Sequence, residues 1–244
     1  MKILLFDIET TPISAYTWGL WKQDIGLNQI QASTEVMCFG ARWYGEKKTI
    51  FKSVHHDGKE EMLKEIHRLM DEADALLGWN SAAFDVKHLN REFIENGMLP
   101  PSPSKDIDLM KVVKSQFRFP SNKLDYVAQK LGVGAKVKHS GFDLWLKCMA
   151  GDNKAWAEMK KYQIQDVALL VELYEKLLPW IKSHPDRALH DDIQDGCVNC
   201  ASIRLERRGT AVSSTGRYQR YHCQDCGKWQ RGSKSESTST MRAL

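Results

Sequence analysis

The chain opens on an apolar run, "ILLF" at 3–6, that stops at Asp7, and a run this short predicts a largely buried strand over residues 2–7. "STEVMCFGARWYG" and "KKTIFKSV" predict two further strands joined by a turn at Gly45 and Glu46. The period then changes. In "GKEEMLKEIHRLMDEA" the apolar positions Met62, Ile66, Leu69 and Met70 recur at helical spacing. "ALLGWN" predicts a strand leading into "SAAFDVKHLNREFIENG", a helix with Phe84, His88 or Leu89 and Phe93 on related faces and a stop at Gly97. Proline-rich "LPPSPS" marks a loop, and "SNKLDYVAQKLG" predicts a short helix capped by Ser121 and closed by Gly132. The strongest helical pattern runs from about 153 to 178 and ends at Pro179. Beyond it, "SHPDRALHDDIQDG" has the composition of a linker, and "GSKSESTSTMRAL" that of a disordered tail. No internal repeat is visible.

Three strands in series, followed by helix, strand and more helices, imply an α/β fold, a mixed sheet covered by helices. The expected organisation is a main domain over 1–182, a linker over 183–195, a small module over 196–232 and a disordered tail over 233–244. In sheets of this kind sites form outside strand ends, and Asp7 lies at such an end. With 244 residues, 42% of them hydrophobic, the chain can bury a full core and still carry a small appendage. Its apolar runs fall far short of the roughly 20 residues that span a bilayer. Nor does its start resemble a secretory signal, so a cytoplasmic protein without a membrane partner is expected.

Charge is uneven. Residues 196–244 hold nine Lys or Arg against three acids, leaving 26 against 28 in the rest of the chain. A basic excess on a small module suggests a polyanionic partner, although a basic, serine-rich terminus also serves as a solubilising tail.

Three acidic features punctuate the main domain. Asp7 and Glu9, two apart, point together if the first strand persists through residue 9, and like charges about 7 Å apart are costly without a cation or solvent between them. In "WNSAAFD", Asn80 falls just past a strand end and Asp85 in the first turns of a helix, where an acid also complements the helix dipole. In "YQIQDVALL", Tyr162 and Asp166 are four apart on one helix face. Apolar residues follow Asp166, and an aspartate drawn toward a core requires a partner, for which a metal is suited.

Taken together, an acidic pair on the first strand, Asn-x-x-x-Phe-Asp and a later Tyr-x-x-x-Asp resemble the three motifs of the DEDD superfamily, 3′-to-5′ exonucleases with a ribonuclease-H-like fold. Over residues 1 to 180, "FDIETTP", "WNSAAFD", "SNKLDYVAQKLG" and "YQIQDVALLVELY" look closest to free-standing relatives of the exonuclease domain of family B DNA polymerases. The resemblance implies that Asp7, Glu9, Asp85 and Asp166 hold two Mg2+ or Mn2+ ions and that Tyr162 orients the attacking water. The histidine variant of the superfamily has His five residues before its last Asp, where this chain has Lys161, so the tyrosine class is favoured. Two divalent ions about 3.5 to 4 Å apart suit in-line displacement at phosphorus. Thr10, Asn80 and Phe84 are candidates for holding the terminal nucleotide and Lys123 for touching a phosphate, while Asn80 also reads as a helix cap and Phe84 as core.

Cysteines divide into two groups. Cys38 and Cys148 are isolated and read as core. "CVNC" and "CQDC", 22 residues apart, form two Cys-x-x-Cys knuckles in which Cys197, Cys200, Cys223 and Cys226 suit one tetrahedral structural Zn2+. "GRYQRYHCQDCGKWQRG" resembles the second half of zinc ribbons found beside nucleic-acid enzymes, with Ala201 standing where many ribbons carry the glycine of the first knuckle. Arg217, Arg220 and Trp229 belong to a basic and aromatic mixture suited to gripping phosphates and stacking bases. A protein-docking or purely stabilising ribbon is the alternative.

The sequence therefore points to a metal-dependent 3′-to-5′ exonuclease releasing nucleoside 5′-monophosphates from single-stranded nucleic acid, with DNA favoured over RNA by the polymerase resemblance. Replication or repair proteins are candidate partners. An exoribonuclease of the same fold and a non-catalytic nucleic-acid-binding adaptor stand as alternatives. A phosphatase with Asp7 as nucleophile fits less well, because such enzymes usually carry a second Asp where this chain has Glu9.

Overall fold

The computed structural model describes residues 1–135 and 140–241. The chain divides into two compact units, Lys2–Leu173 and Tyr174–Leu244 with Met1.

In the first unit β1 (Ile3–Thr10) leads through a small ribbon, β2 (Ser14–Ala15) and β3 (Ile30–Ala32), to β4 (Val36–Trp43) and β5 (Ile50–Ser53). Next come α1 (Lys59–Glu72), β6 (Ala75–Gly78), α2 (Asp85–Glu95), β7 (Lys105–Asp108), α3 (Leu109–Gln116), α4 (Leu124–Leu131), α5 (Phe142–Met149) and α6 (Asn153–Leu177). Among the described residues the main sheet has five strands in the order β5-β4-β1-β6-β7. β1 runs antiparallel to β4 and parallel to β6, and β6 runs parallel to β7. This is the expected α/β mixed sheet covered by helices.

Central β1 is apolar because both of its faces are covered. Leu4, Phe6 and Ile8, with Phe39 and Ala41 of β4, pack with Met62, Leu63 and Ile66 of α1 and with Leu89 and Phe93 of α2. Cys38 of β4 belongs to a second cluster with Leu144 and Cys148 of α5 and Trp156, Met159 and Tyr162 of α6. At Gly40, between these layers, an added Cβ would come within 3.0 Å of Gln163 Oε1 and 3.1 Å of Val167 Cγ2. Glycine there admits α6 closely against the sheet.

Several elements have no strong sequence signal. β7, "KDID", is a polar edge strand, and α3 and α5 have eight residues each, about two turns of pattern. Ser121 is not the cap of α4. Lys123 holds that position, and the Ser121 hydroxyl instead accepts the Lys123 N–H at 3.3 Å. Gly132 closes α4 as expected, with φ +70°.

The second unit begins within α6 and continues through a 3-10 turn at Leu178–Trp180, α7 (Arg187–His190) and an antiparallel sheet of β8 (Leu205–Val212), β9 (Gly216–Cys223) and β10 (Trp229–Thr238). The stretch expected as a linker is folded: Asp186 caps α7 through Leu189 N–H at 3.0 Å, and Arg187 N–H donates to Val198 O at 2.8 Å. Buried Asn199 donates to Leu178 O at 2.6 Å and Ile181 O at 3.1 Å, and Lys228 Nζ donates to Ile181 O at 2.6 Å. These polar ties order a segment whose composition lacks the apolar content that signals packing. The expected disordered tail is likewise corrected over 233–238. There β10 pairs with β9, placing Ser235 opposite Tyr218 and Thr238 opposite Gly216, because ladder pairing uses backbone groups that Ser and Thr possess like any residue. Residues 242–244 of that tail lie outside the described residues.

Candidate active site and four-cysteine centre

β1 persists to Thr10, so Asp7 and Glu9 share one of its faces. Their partners on β4 are Gly40 and Cys38, the positions beneath α6. Gln163 Nε2, on α6, donates to Asp7 Oδ2 at 3.1 Å. Tyr162 and Asp166, on the same helix, are buried, and the Tyr162 hydroxyl hydrogen-bonds to Asp166. Burial pushes the Tyr162 phenol far up, with the charges of Asp166, Glu9 and Asp7 adding to it, so the hydroxyl stays protonated and donates. The Cys38 thiol is raised well above its ordinary value by burial and then by Glu9 and Asp7, leaving it an inert core residue.

Asp85 reaches the cluster from the far side of β1. β6 ends at Gly78, and beyond that end Asp85 Oδ1 accepts the Ile8 N–H at 3.0 Å. Asp85 is only 3% exposed, and its carboxyl is raised well above the usual range by burial and by the neighbouring Asp7 charge, against the opposing pull of the Ile8 N–H. A buried carboxylate beside another is the donor chemistry that a hard divalent cation satisfies, so the residues fit Mg2+ or Mn2+.

The turn that delivers Asp85 depends on Asp108, which the sequence pattern did not single out. Asn80 adopts a left-handed φ of +66°, and its carbonyl accepts N–H groups from Ala83 at 3.1 Å and Phe84 at 3.0 Å. Its own N–H donates to Asp108 Oδ1 at 3.0 Å, while Asp108 also caps α3 through Met110 and Lys111. The only sequence signal was an Asp before a helical stretch, in "DLMKVV". Gln163 was missed as well, since only the packing of α6 brings it to Asp7. Asn80 thus sets the turn before α2, whose N-terminal cap is Phe84. Phe84 is 40% exposed, with its ring 4.5 Å from His88, and so is not core.

Beside the acidic face, Thr10, Thr11 and Pro12 line a cleft of about 310 Å³ opposite Gly141, Phe142 and Trp145. The Trp145 ring meets Tyr162 edge-on at 6.3 Å. Lys123 is exposed at the start of α4.

In the second unit the ligand atoms of Cys197, Cys200, Cys223 and Cys226 all lie within 4.8 Å of one another. Among the described residues no other group of three or more His, Cys, Asp or Glu side chains converges as closely, the acidic cluster included. The two knuckles match: Ala201 N–H donates to Cys197 O at 2.8 Å, and Gly227 N–H to Cys223 O at 3.0 Å. Both following residues are left-handed, Ala201 with φ +63° and Gly227 with φ +77°. The Cys197 thiol is lowered to about 5 by its hydrogen bond with Cys226 and by backbone N–H groups, while the same contact pushes Cys226 up. Thiolates this close repel, and a dication relieves that repulsion; the soft tetrahedral donor set fits Zn2+.

On the ribbon sheet, the Arg220 guanidinium stacks over Trp229 at 5.0 Å and that of Arg231 over Tyr218 at 3.8 Å. Arg220 Nε also donates to Arg208 O at 2.8 Å, and Arg217 pairs with Glu236 at 3.5 Å.

A mixed sheet of this order, with helices on both faces and carboxylates gathered at its central strand, defines the ribonuclease-H-like class. Residues 4–178 match the family model of the RNase_H superfamily, and the chain belongs to that superfamily. No curated protein sequence matches it. The family B DNA polymerase of the hyperthermophilic archaeon Pyrobaculum calidifontis is similar in structure, with a TM-score of 0.55 at 15% identity. The match covers 88% of this chain and 31% of the polymerase chain. Superfamily membership supports nuclease activity, and with it nucleic-acid binding, in general terms. Among the described residues no helix is long and apolar enough to cross a membrane.

Proposed function

We propose that the chain is a metal-dependent 3′-to-5′ exonuclease acting on single-stranded DNA and releasing nucleoside 5′-monophosphates. The observation that carries this reading is the meeting of three distant segments at one strand: Asp7 and Glu9 on β1, Asp85 bound to the β1 backbone at Ile8, and Tyr162 and Asp166 on the helix over the same acidic face.

In this reading Asp7, Glu9, Asp85 and Asp166 hold two Mg2+ or Mn2+ ions. Those ions, when bound, supply activation of water and stabilise the departing 3′ oxygen. The chain's own groups do the positioning. Gln163 fixes the Asp7 carboxylate, the Ile8 N–H fixes that of Asp85, and the protonated Tyr162 hydroxyl orients the attacking water. The cleft between Thr10–Pro12 and Phe142–Trp145 receives the terminal nucleotide, with Asn80 and Phe84 as further contacts and Lys123 toward a phosphate. The four cysteines hold a structural Zn2+, and the stacked Arg220 and Trp229, with Arg217, recruit the strand.

The test is a time course on 5′-labelled single-stranded DNA and RNA of one sequence, with Mg2+, Mn2+ or chelator. The expected result is a metal-dependent ladder shortening one nucleotide at a time, faster on DNA and abolished by Asp7→Ala. Tyr162→Phe should slow it by roughly 100-fold, the cost of losing water orientation, while metal binding is kept. Faster cleavage of RNA would make the protein an exoribonuclease, and intact substrate under every metal condition would sink the enzymatic reading.

A further inference from the structure

The connection from β1 to β4 presents a surface that the chemistry above leaves unused. β2 and β3 form a two-stranded ribbon, with Ser14 opposite Ala32 and Ala15 opposite Ile30. Its closing loop is tied internally: Tyr16 N–H donates to Gln29 O at 3.1 Å, Gln29 Nε2 to Tyr16 O at 3.0 Å, and Gly26 N–H to Gln29 Oε1 at 2.8 Å. Its base is held where Thr11 N–H donates to Glu35 O at 2.8 Å and Thr11 Oγ1 accepts the Glu35 N–H at 2.8 Å. The ribbon is therefore a built projection. Its rings nevertheless point to water: Tyr16 is 73%, Trp18 99% and Trp21 84% exposed. Soluble proteins ordinarily keep indoles largely covered, and grouped exposed apolar side chains mark an interaction surface.

Two observations select the occupant. The first is continuity. β1 carries Asp7 and Glu9, runs through Thr10, Thr11 and Pro12 along the cleft, and enters the ribbon at Ser14. Trp18 lies nine residues past Glu9, so extended chain limits their separation to about 32 Å, a few nucleotides' reach for a strand ending at the carboxylates. The second is charge. Residues 13–29 hold one base, Lys22, and one acid, Asp24, so the surface, on which Leu20 and Leu27 are exposed beside the rings, has no net field to attract or repel phosphates. Ring faces without charge suit the faces of unpaired bases, which stack in any sequence.

We propose that the β2–β3 ribbon is a stacking platform for unpaired bases upstream of the terminal nucleotide, with Trp18 and Trp21 as its principal rings. The proposal deepens the exonuclease reading and rests on it for the position of the 3′ end.

The test is anisotropy of a labelled single-stranded 20-mer in the Asp7→Ala background, which leaves the strand whole, with and without Trp18→Ala and Trp21→Ala. Kd should rise roughly 5- to 150-fold for each ring lost, and Trp18→Phe with Trp21→Phe should recover much of it. The salt dependence should keep its slope, because no phosphate contact is removed, and affinity for a blunt duplex should not move. Both side chains are exposed, so their truncation leaves the core intact. Unchanged affinity for the single strand would overturn the platform, as would a flattened salt slope. Dissociation of a wild-type oligomer on losing the rings, with oligonucleotide affinity unmoved, would reassign the surface to protein contact and overturn it too. Wild-type protein that fails to cut the strand, while ring loss still weakens binding, would sink the exonuclease reading alone.

Discussion

Asp85 is under two opposed demands. Burial and the Asp7 charge favour its protonated form, while the Ile8 N–H favours the carboxylate. Asn in its place keeps the acceptor for Ile8 and removes the charge. Asp85→Asn should therefore retain the fold, melt in chelator no lower than wild type because a like charge is gone, and lose roughly 100-fold or more in cleavage. A variant that melts lower and cuts normally would make Asp85 purely structural. Ala201 poses a backbone question instead. Its φ of +63° is tolerated by glycine at little cost and by alanine at roughly 1 kcal/mol. Ala201→Gly should raise the stability of the second unit by at most about 0.6 kcal/mol once the extra freedom of the unfolded glycine is set against it, as read from denaturant midpoints at constant metal.

Among the elements, α6 matters most, since it holds both Tyr162 and Asp166 over β1. Its approach is set at Gly40, where an added Cβ would meet Gln163 O at 3.3 Å as well as two side-chain atoms. A helix carbonyl yields less readily than a side-chain tip. Gly40→Ala should therefore displace α6 by a few tenths of an ångström, destabilise the first unit by about 1–3 kcal/mol and lower kcat more than affinity for substrate. Wild-type kcat with unchanged melting would show that the helix has room to spare.

For the molecule as a whole, the two units should respond to different chemistry. Metal withdrawal should unfold the second unit, where a bound Zn2+ would contribute roughly 10 to 16 kcal/mol, and leave the sheet of the first intact; limited proteolysis with mass analysis of the surviving fragment reads the two separately. Acid should act on the second unit too. His184 is buried with Nε2 2.7 Å from the Tyr174 hydroxyl and Nδ1 2.6 Å from Pro185 O. Burial lowers its proton affinity below the ordinary value of 6.5, so the unfolded chain takes up a proton that the folded one resists. The stability from His184 is thus complete above about pH 6.5 and lost as pH falls from there toward its depressed folded value. Chemical denaturation between pH 7.5 and about 5.5 should show this loss, and it should shrink in His184→Gln, whereas acid protonation of the cysteines would persist.

What the sequence determined by itself was whatever local periodicity and spacing can encode. An apolar run ending in Asp7-x-Glu9, a helical Tyr162-x-x-x-Asp166 and paired Cys-x-x-Cys knuckles each fix a geometry within a few residues, and serial strands followed by helices fix the class of fold. Everything that acts across the chain was decided by tertiary structure. Asp108 matters because its carboxylate receives the Asn80 N–H, Gln163 because α6 lies over Asp7, and Gly40 because of how closely that helix lies. The polar stretch at 233–238 is ordered by pairing with β9, and that at 187–190 by the Asp186 cap and the Val198 carbonyl; both are hydrogen-bonding ties that composition does not report, so composition alone reads them as tail and linker. Trp18 and Trp21 look like core by type, and only the folded ribbon leaves them in water. The physical reason is the same in each case: a side chain's role follows from what surrounds it, and its surroundings come from segments tens of residues away.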